Sequence, residues 1–286
     1  MKIAITGATG QLGQYVIEFL LKTENAQKIV ALVRDLDKAQ SLKQQGIDVR
    51  YFNYDEPESL APALQGVDKL LLISANEVGR RTPQHQAVIE AAKQAQVKHL
   101  VYTSLLNATH SPLSLAKEHQ ETEALIQHSG LNYTFLRNNW YSENYLATLP
   151  QIIEQGILYG AAGEGKISSA SRQDYAEAAA KVLTSSGHKQ KIYELAGSES
   201  YTLAELAESI SQVSGKTIHY QNLTAQEYTD ALLAAGLPEG LVHVIVDADL
   251  QAAQGAMYSE SKDLENLIGH TTTSIQTLIQ QQLDKA

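Results

Sequence analysis

Three glycines at intervals of three form the first candidate functional motif of the chain. An apolar run over residues 1–6 precedes Gly7-Ala8-Thr9-Gly10-Gln11-Leu12-Gly13, and apolar residues with helical spacing follow from Tyr15 to Leu21. Glycines let the backbone turn sharply, approach a pyrophosphate closely and pack the helix against the strand. The N–H groups at the helix start then face the phosphates. The motif predicts a dinucleotide site at Gly7, Ala8, Thr9, Gly10, Gln11 and Leu12, with a purely structural turn as the alternative.

A basic residue follows the second strand. Lys28-Ile29-Val30-Ala31-Leu32-Val33 ends at Arg34, 21 residues after Gly13. Sites for NAD place an acid at about this position, whereas an arginine favours the 2′-phosphate of NADP. Asp35 would favour NAD if its carboxylate faced the ribose instead, and Arg34 as a solvated surface charge is a further alternative. We expect NADP(H) as the cofactor, with its 2′-phosphate on Arg34.

Apolar runs alternate with helical stretches in the first half of the chain. The runs cover 47–52, 68–73, 99–103 and 131–137, and the helical stretches cover 35–45, 57–65, 82–96 and 113–129. This alternation predicts βαβ units around a buried parallel sheet. The expected fold is α/β, with a doubly wound parallel (Rossmann) sheet in residues 1–150. A smaller, mostly helical substrate-side region in 151–286 is expected to be partly interleaved with that sheet.

Polar residues end several strands of the predicted sheet, where such sheets bind ligands. Thr103 and Ser104 end the fifth strand, where a hydroxyl either bonds a substrate oxygen or satisfies the backbone. Asp55 lies after the third strand, either near an adenine or as the N-cap of the helix after Pro57. The residues expected to line the cofactor ribose end the fourth strand: Ser74, Ala75 and Asn76.

Composition argues against several classes of function. The 286 residues include no cysteine, which excludes disulfides, thiolate metal sites and cysteine nucleophiles. A net charge of −10 argues against nucleic-acid and anionic-membrane partners. The histidines lack metal-binding spacing, and no apolar run reaches the length of a membrane span. Because the first strand starts at residue 2, leaving no room for a signal peptide, we expect a cytoplasmic protein without a metal. The oligomeric state stays open, with a homodimer as one option.

Further segments carry a resemblance to a known family. Besides the glycine turn, they are Leu70-Leu71-Leu72-Ile73-Ser74, Tyr102-Thr103-Ser104-Leu105-Leu106, Leu136-Arg137-Asn138-Asn139-Trp140-Tyr141-Ser142-Glu143-Asn144-Tyr145 and Leu267-Ile268-Gly269-His270-Thr271-Thr272-Thr273. Over nearly its whole length the chain resembles the NmrA-like atypical short-chain dehydrogenases/reductases. Within that family it is most similar to the bacterial type 2 NAD(P)H:quinone oxidoreductases.

The resemblance implies a function for the segment after the sixth strand, which in such proteins closes over the nicotinamide end of the cofactor. The implied cofactor contacts are Asn138, Asn139, Trp140, Tyr141, Ser142 and Glu143. The implied acceptor pocket comprises Thr103, Ser104, Asn139, Trp140, Tyr141 and Asn144. Helix capping by Asn139 and ordinary packing of the Trp140 and Tyr141 rings are the alternatives.

The Tyr-x-x-x-Lys pair that related dehydrogenases use to exchange a proton with a substrate oxygen is missing from its expected place in the chain. The segment in which it should lie, 113–123, contains no tyrosine. Lys117 and His119 lie there, and we expect both to be exposed polar residues, with a role in proton transfer as the alternative. Hydride addition to a ketone gives a basic alkoxide that needs an acid. Addition to a quinone gives a far weaker base that water can protonate.

The sequence therefore predicts an NADPH-dependent reductase that transfers a hydride directly to a quinone, a two-electron reduction that relies on proximity and orientation. No residue is assigned as catalytic. A non-catalytic NADP(H)-binding redox sensor of the NmrA type fits the missing pair equally well. A third option, a reductase or epimerase acting on a nucleotide sugar or another small carbonyl compound, would need Lys117 or His119 as its acid or base.

Overall fold

A computed structural model describes residues 1–285, and these residues form two compact units. The sheet unit comprises residues 1–109, 117–138 and 172–195. The second unit comprises residues 110–116, 139–171 and the described residues from 196 onward. The predicted division at residue 150 cuts the chain once, whereas each of these units is assembled from several segments.

The strands and helices of the described residues are as follows. The strands are β1 (Ile3–Ile5), β2 (Ile29–Val33), β3 (Asp48–Tyr51), β4 (Lys69–Leu72), β5 (His99–Leu105), β6 (Tyr133–Asn138), β7 (Ile157–Gly160), β8 (Lys191–Leu195) and β9 (His219–Asn222). The helices are α1 (Gln11–Leu21), α2 (Gln40–Gln44), α3 (Pro57–Ala63), α4 (Arg81–Gln94), α5 (Ala116–His128), α6 (Ser142–Leu146), α7 (Leu149–Gln155), α8 (Arg172–Thr184), α9 (Leu203–Ser214), α10 (Ala225–Ala234), α11 (Glu239–Ala252), α12 (Asp263–Ile268) and α13 (Ile275–Leu283).

The sheet unit contains a seven-stranded parallel sheet in the order β3-β2-β1-β4-β5-β6-β8. The strand order reverses at β1, which pairs with both β2 and β4. Because all the strands are parallel, their carboxyl ends share one edge, and the reversal opens a crevice at that edge. The predicted doubly wound parallel fold is confirmed.

Burial explains why these segments form a sheet covered on both faces. All five residues of β2 and all seven of β5 are buried, as expected for parallel strands between helices. On one face α1 packs against α8, with Val16 and Leu20 fully buried. Burial of such a side chain contributes about 1.5–3 kcal/mol.

A reciprocal side-chain cap starts helix α9. The Thr202 hydroxyl accepts the Glu205 N–H, and the Glu205 carboxylate accepts the Thr202 N–H. Gly215 then ends the helix with φ +69°. A reciprocal cap at the start and a left-handed glycine at the end are both typical of stable helix termini.

Side-chain hydrogen bonds also explain where the predicted bounds are wrong. The helix expected from residue 35 begins only at Gln40, because Asp35 Oδ1 accepts N–H groups at residues 37 and 38 and holds a turn there. In the second unit, the Ile218 N–H donates to Ser211 Oγ, and β9 begins only at His219.

The second unit is mostly helical. Its two strands, β7 and β9, pair in parallel, with Leu158 opposite Tyr220. Leu206 and Ile210 of α9 are buried, and α9 packs against α13. Across residues 1–285, no helix combines the length and apolar character needed to cross a lipid bilayer.

Candidate cofactor site

The glycine turn connects β1 to α1 through a left-handed residue. Gly7 has φ +58°, which glycine adopts without steric strain. The Gly10 N–H donates to the Gly7 carbonyl at 2.8 Å and closes the turn. A Cβ at Gly13 would lie 2.3 Å from the same carbonyl oxygen, so α1 packs this closely only because residue 13 has no side chain.

The N-terminus of α1 is open to an anion. Its N-cap is Gly10, and no side chain caps the helix. Gly7 and Gly10 are exposed, whereas Ala8 and Leu12 are buried. Backbone N–H groups and the helix dipole at such an end attract phosphate, so the turn fits a dinucleotide pyrophosphate. The predicted phosphate contacts occupy this loop and the first turn of α1: Gly7, Ala8, Thr9, Gly10, Gln11 and Leu12.

Arg34 directly follows β2, and its guanidinium extends toward the segment after β4. Nη1 lies 3.3 Å from Glu77 Oε1. Since β1 lies between β2 and β4 in the sheet, this ion pair crosses the carboxyl end of β1, where the glycine turn begins. Asp35 instead bonds N–H groups of its own turn. This geometry favours Arg34 over Asp35 as the residue that faces a bound ribose.

A second arginine shares the Glu77 carboxylate. Arg80 Nη1 lies 2.8 Å from Glu77 Oε2, and its Nη2 lies 2.7 Å from Asp55 Oδ1. Gln84 Nε2 also donates to Glu77 Oε2, at 3.2 Å. Asp55 therefore pairs with an arginine, and the N-cap of α3 is Glu56.

Two side chains of the sheet unit hold the backbone after β4. The Ser74 N–H donates to Thr103 Oγ1 at 2.9 Å, and the Ala75 N–H donates to His85 Nε2 at 3.0 Å. Asn76 is exposed beyond them. The predicted ribose segment is thus fixed by β5 and α4.

His85 is a neutral hydrogen-bond acceptor in this arrangement. Burial, together with the positive charge of Arg81, lowers the pKa of His85 to about 3. Arg81 Nε itself donates to the Ala75 carbonyl at 2.5 Å. Because Thr122 donates to the Glu118 carbonyl, the hydrogen-bond network assigns the ring proton to His85 Nδ1, 2.9 Å from Thr122 Oγ1. Nε2 therefore remains free to accept from Ala75 throughout the physiological pH range.

The hydroxyls that end β5 bond within the sheet unit. Thr103 binds Ser74, and Ser104 Oγ donates to Glu123 Oε1 at 2.6 Å. Glu123 forms a bidentate ion pair with Arg137, with N–O distances of 2.9 and 2.7 Å. The Thr103 contact agrees with the alternative that a strand-end hydroxyl satisfies the backbone, whereas Ser104 bonds a carboxylate side chain. Contact of either hydroxyl with an acceptor stays a prediction.

The expectation that His119 is exposed was wrong, whereas Lys117 is exposed as expected. His119 is 5% exposed, and its Nδ1 lies 2.8 Å from the hydroxyl of the fully buried Tyr102. Burial lowers the pKa of His119 to about 3 and raises the pKa of Tyr102 far above its ordinary value. The enclosed pair is a poor proton donor for a substrate.

Asn138, the last residue of β6, carries an unsatisfied acceptor. The residue is 5% exposed, and its Oδ1 has no hydrogen-bond donor within residues 1–285. A buried amide oxygen without a donor is energetically costly. An N–H or O–H group of a ligand would satisfy it, which supports the predicted cofactor contact.

Asn139 belongs to the second unit and bonds within it. Its Nδ2 donates to the carbonyls of Ser168 and Met257, both at 2.9 Å. The N-cap of α6 is Tyr141, so the capping alternative for Asn139 was wrong. Trp140 and Tyr141 are half-buried. Cofactor contact by these three residues stays a prediction.

The first turn of α6 contains the remaining predicted contacts. Ser142 Oγ lies 2.8 Å from Ser169 Oγ, which lies 2.6 Å from the Tyr201 hydroxyl. Glu143 is half-buried and Asn144 is exposed. Ser142 thus takes part in a buried hydroxyl chain, and cofactor contact by Ser142 and Glu143 stays a prediction, as does a pocket role for Asn144.

Asp249 is a buried carboxyl group in the second unit. It is 2% exposed, and its Oδ2 accepts the Ala161 N–H at 2.8 Å. Burial raises the pKa of Asp249 to about 6. A Cβ at Gly160 would lie 2.9 Å from the same oxygen, so the carboxyl group is closely enclosed.

Sequence reasoning missed Glu77, Arg80, His85 and Asp249. Their contacts join segments distant in the chain, and no spacing rule singles them out. The only sequence signal for Glu77 and Arg80 was that both are polar residues shortly after a predicted strand. Within residues 1–285, no three side chains of histidine, cysteine, aspartate or glutamate are grouped to hold a metal ion.

Comparison with known proteins places the chain among reductases. It is 55% identical over 273 residues to quinone oxidoreductase 2 of Escherichia coli (strain K12), covering 96% of each chain. Its structure matches that of an NADPH-dependent quinone oxidoreductase of Escherichia coli complexed with NADPH, with a TM-score of 0.96 and 54% identity over 98% of this chain and 99% of the other. Triphenylmethane reductase of Citrobacter sp., complexed with NADP(H), matches with a TM-score of 0.95 and 39% identity over 98% and 100% of the chains.

A family model gives the same assignment as the motifs. The model of the NmrA-like family matches residues 1–278. This range includes the glycine turn, the strand-end segments and the closing segment on which the resemblance rested. The chain belongs to the NmrA-like family.

Proposed function

We propose that this chain catalyses the NADPH-dependent, two-electron reduction of quinones. The observation that carries the proposal is a complete dinucleotide turn, flanked by Arg34, in a chain that has no Tyr-x-x-x-Lys pair in the expected segment, 113–123. The similarity to a quinone oxidoreductase and to NADP(H)-bound reductases supports it.

The cofactor is held by groups with distinct tasks. The turn and the start of α1 bind the pyrophosphate through backbone N–H groups, and Arg34 binds the 2′-phosphate. The fixed segment Ser74–Asn76 supports the ribose, and Asn138 Oδ1 accepts a hydrogen bond from the cofactor. When bound, NADPH supplies a hydride from its nicotinamide ring.

The absence of a suitable proton donor favours a quinone as the hydride acceptor. A quinone needs no strong protein acid, because the hydroquinone anion is a weak base that water protonates. Tyr102 and His119 are buried against each other, so neither is available as that acid. The protein then contributes orientation and partial exclusion of water. Trp140, Tyr141 and Asn144, together with Asn139, Thr103 and Ser104, are the proposed acceptor contacts, and action in the cytoplasm stays a prediction.

Steady-state oxidation of NADPH tests this function. We expect NADPH loss that requires a benzoquinone acceptor, with a clear preference for NADPH over NADH. A non-catalytic redox sensor would bind NADPH but show no acceptor-dependent loss. A carbonyl reductase or epimerase would depend on His119 or Lys117, whereas we expect Lys117→Ala to retain quinone reduction.

Removal of the Arg34 charge tests the cofactor assignment. Arg34→Ala should weaken NADPH binding by about 1–3 kcal/mol, because charge-assisted bonds to the phosphate are lost. NADH binding should change far less. Titration of the two cofactors against each protein measures the difference, and an equal loss for both would contradict the 2′-phosphate assignment.

A further inference from the structure

Arg80 and Arg34 bind the two oxygens of one carboxylate. Arg34 Nη1 lies 3.3 Å from Glu77 Oε1, and Arg80 Nη1 lies 2.8 Å from Glu77 Oε2. Glu77 therefore bridges two guanidinium groups that come from different loops of the sheet unit. An anion with two or more oxygens on one atom can make the same bridge.

The bridge lies where a bound dinucleotide would place its adenosine ribose. Arg34 follows β2, Glu77 and Arg80 follow β4, and β1 with its glycine turn lies between these strands. The second bond of Arg80 reaches Asp55, after β3. Arg80 thus connects the loop after β4 to the loop after β3. Because β2 and β1 lie between these two strands in the sheet, this connection passes the end of β2, where Arg34 is located.

We propose that Arg80 is a second arginine for the 2′-phosphate of NADP(H), and that the Glu77 carboxylate occupies the position of this phosphate in the free protein. The proposal deepens the proposed function and rests on its cofactor assignment. Binding of NADP(H) then replaces the bridge through Glu77 with a bridge through the phosphate, and Asp55 keeps Arg80 in place. NAD(H), which has no 2′-phosphate, leaves the bridge to Glu77 intact.

The charges and exposure of the groups permit this exchange. The side chains of Arg34 and Arg80 are 68% and 59% exposed, and that of Glu77 is 31% exposed. Ion pairs this exposed contribute little to stability, so their loss costs little. A phosphate monoester carries more negative charge than a carboxylate and has three oxygens that accept from guanidinium groups, so it competes well for both arginines.

Equilibrium titration of NADP⁺, NAD⁺ and adenosine 2′,5′-bisphosphate tests the proposal without reference to turnover. Arg80→Gln should raise the Kd of NADP⁺ and of the bisphosphate about tenfold, and leave that of NAD⁺ within about twofold. Arg80→Lys, which keeps the charge but not the forked donor geometry, should fall between. Glu77→Gln should tighten NADP⁺ by about twofold or more, since the competing charge is removed.

Control variants separate failure of this proposal from failure of the cofactor assignment. Lys93→Gln removes one exposed positive charge elsewhere on α4 and should change no Kd. Arg34→Gln should weaken NADP⁺ selectively. If it does so while Arg80→Gln binds NADP⁺ as the wild type does, the role of Arg80 is overturned and the cofactor assignment stands. If the wild-type protein shows no preference for NADP⁺ over NAD⁺, both are overturned.

Discussion

Two glycines of the turn have different tasks, although the sequence motif treats them alike. Gly13 lets α1 approach the Gly7 carbonyl, where a Cβ would lie 2.3 Å from the oxygen. Gly10 instead lies on the exposed side of the turn, with a Cβ position 3.1 Å from the same oxygen. Gly13 therefore allows the close packing of α1, and Gly10 keeps the N–H groups accessible to the phosphates.

Substitution at the two positions separates these tasks. Gly13→Ala should lower the free energy of unfolding by about 1–3 kcal/mol, because the added methyl group overlaps with the backbone. Gly10→Val should weaken NADPH on the order of 100-fold, because its side chain covers the N–H groups that bind the phosphates. Thermal unfolding and cofactor titration of both variants measure the effects. Unchanged affinity in Gly10→Val would contradict the phosphate site.

Asp249 provides a pH dependence that can be traced to one residue. Its pKa rises from 3.8 to about 6 on folding because it is buried, so the folded state binds more protons than the unfolded state between these values. The contribution of Asp249 to the free energy of unfolding therefore falls as the pH rises through this window. The total loss is about 3 kcal/mol.

Asp249→Asn removes this penalty, since its amide oxygen can still accept the Ala161 N–H. We expect the variant to melt several degrees above the wild type near pH 8, and above it by about half as much near pH 5. Asp230→Asn, at an exposed position of α10, is the control and should show no such dependence. A difference between Asp249→Asn and the wild type that does not change with pH would contradict the assignment.

Individual residues were predictable where a local pattern located them. The glycine spacing identified the turn, and the end of an apolar strand identified Arg34 as a candidate. The competition between Arg34 and Asp35 could not be resolved from the sequence, because it depends on Glu77, which comes from a different strand of the sheet. The burial of His119 was missed for the same reason, since its partner Tyr102 lies on β5.

At the scale of elements, helix α4 holds the segment after β4 in place through hydrogen bonds that its sequence did not predict. His85 accepts the Ala75 N–H, and Arg81 donates to the Ala75 carbonyl. One helix thereby binds both backbone groups of a single residue in the predicted ribose segment. The helix positions the segment without itself being a predicted cofactor contact.

His85 variants test this support. His85→Leu leaves the Ala75 N–H without an acceptor and should weaken NADPH about tenfold. His85→Gln can place an amide oxygen near the position of Nε2 and should restore most of the affinity. Melting temperatures of both proteins, measured alongside the Kd values, distinguish loss of position from loss of fold. Equal affinities of the leucine and glutamine variants would contradict a positioning role.

Hydrophobic periodicity predicted the type and order of the helices and strands in the first half of the chain, but not all of their ends. Apolar runs predicted the parallel strands because these are buried on both faces. The start of α2 was misplaced because a side-chain hydrogen bond of Asp35 holds a turn where the pattern still looked helical. The residues that cap α9, in contrast, lie within or next to the helix itself, at Thr202, Glu205 and Gly215.

For the whole molecule, the sequence supplied the fold class, the family and the NADP(H) assignment. The doubly wound sheet and the family match confirm the first two, and relatives complexed with NADPH or NADP(H) support the third. Similarity to a quinone oxidoreductase favours reduction of quinones over a non-catalytic sensor. The acceptor pocket remained a prediction because it rests on the resemblance, and the hydroxyls of Thr103 and Ser104 bond within the sheet unit.

A single-turnover reaction tests the central claim most directly. NADPH-loaded protein is mixed rapidly and without oxygen with a benzoquinone, and loss of the nicotinamide absorbance is followed together with hydroquinone formation. We predict that hydroquinone forms in equal amount to the NADPH consumed, and that deuterium at the transferred position of NADPH slows the reaction. Bound NADPH that persists in the presence of the quinone, or formation of a semiquinone in its place, would contradict direct hydride transfer.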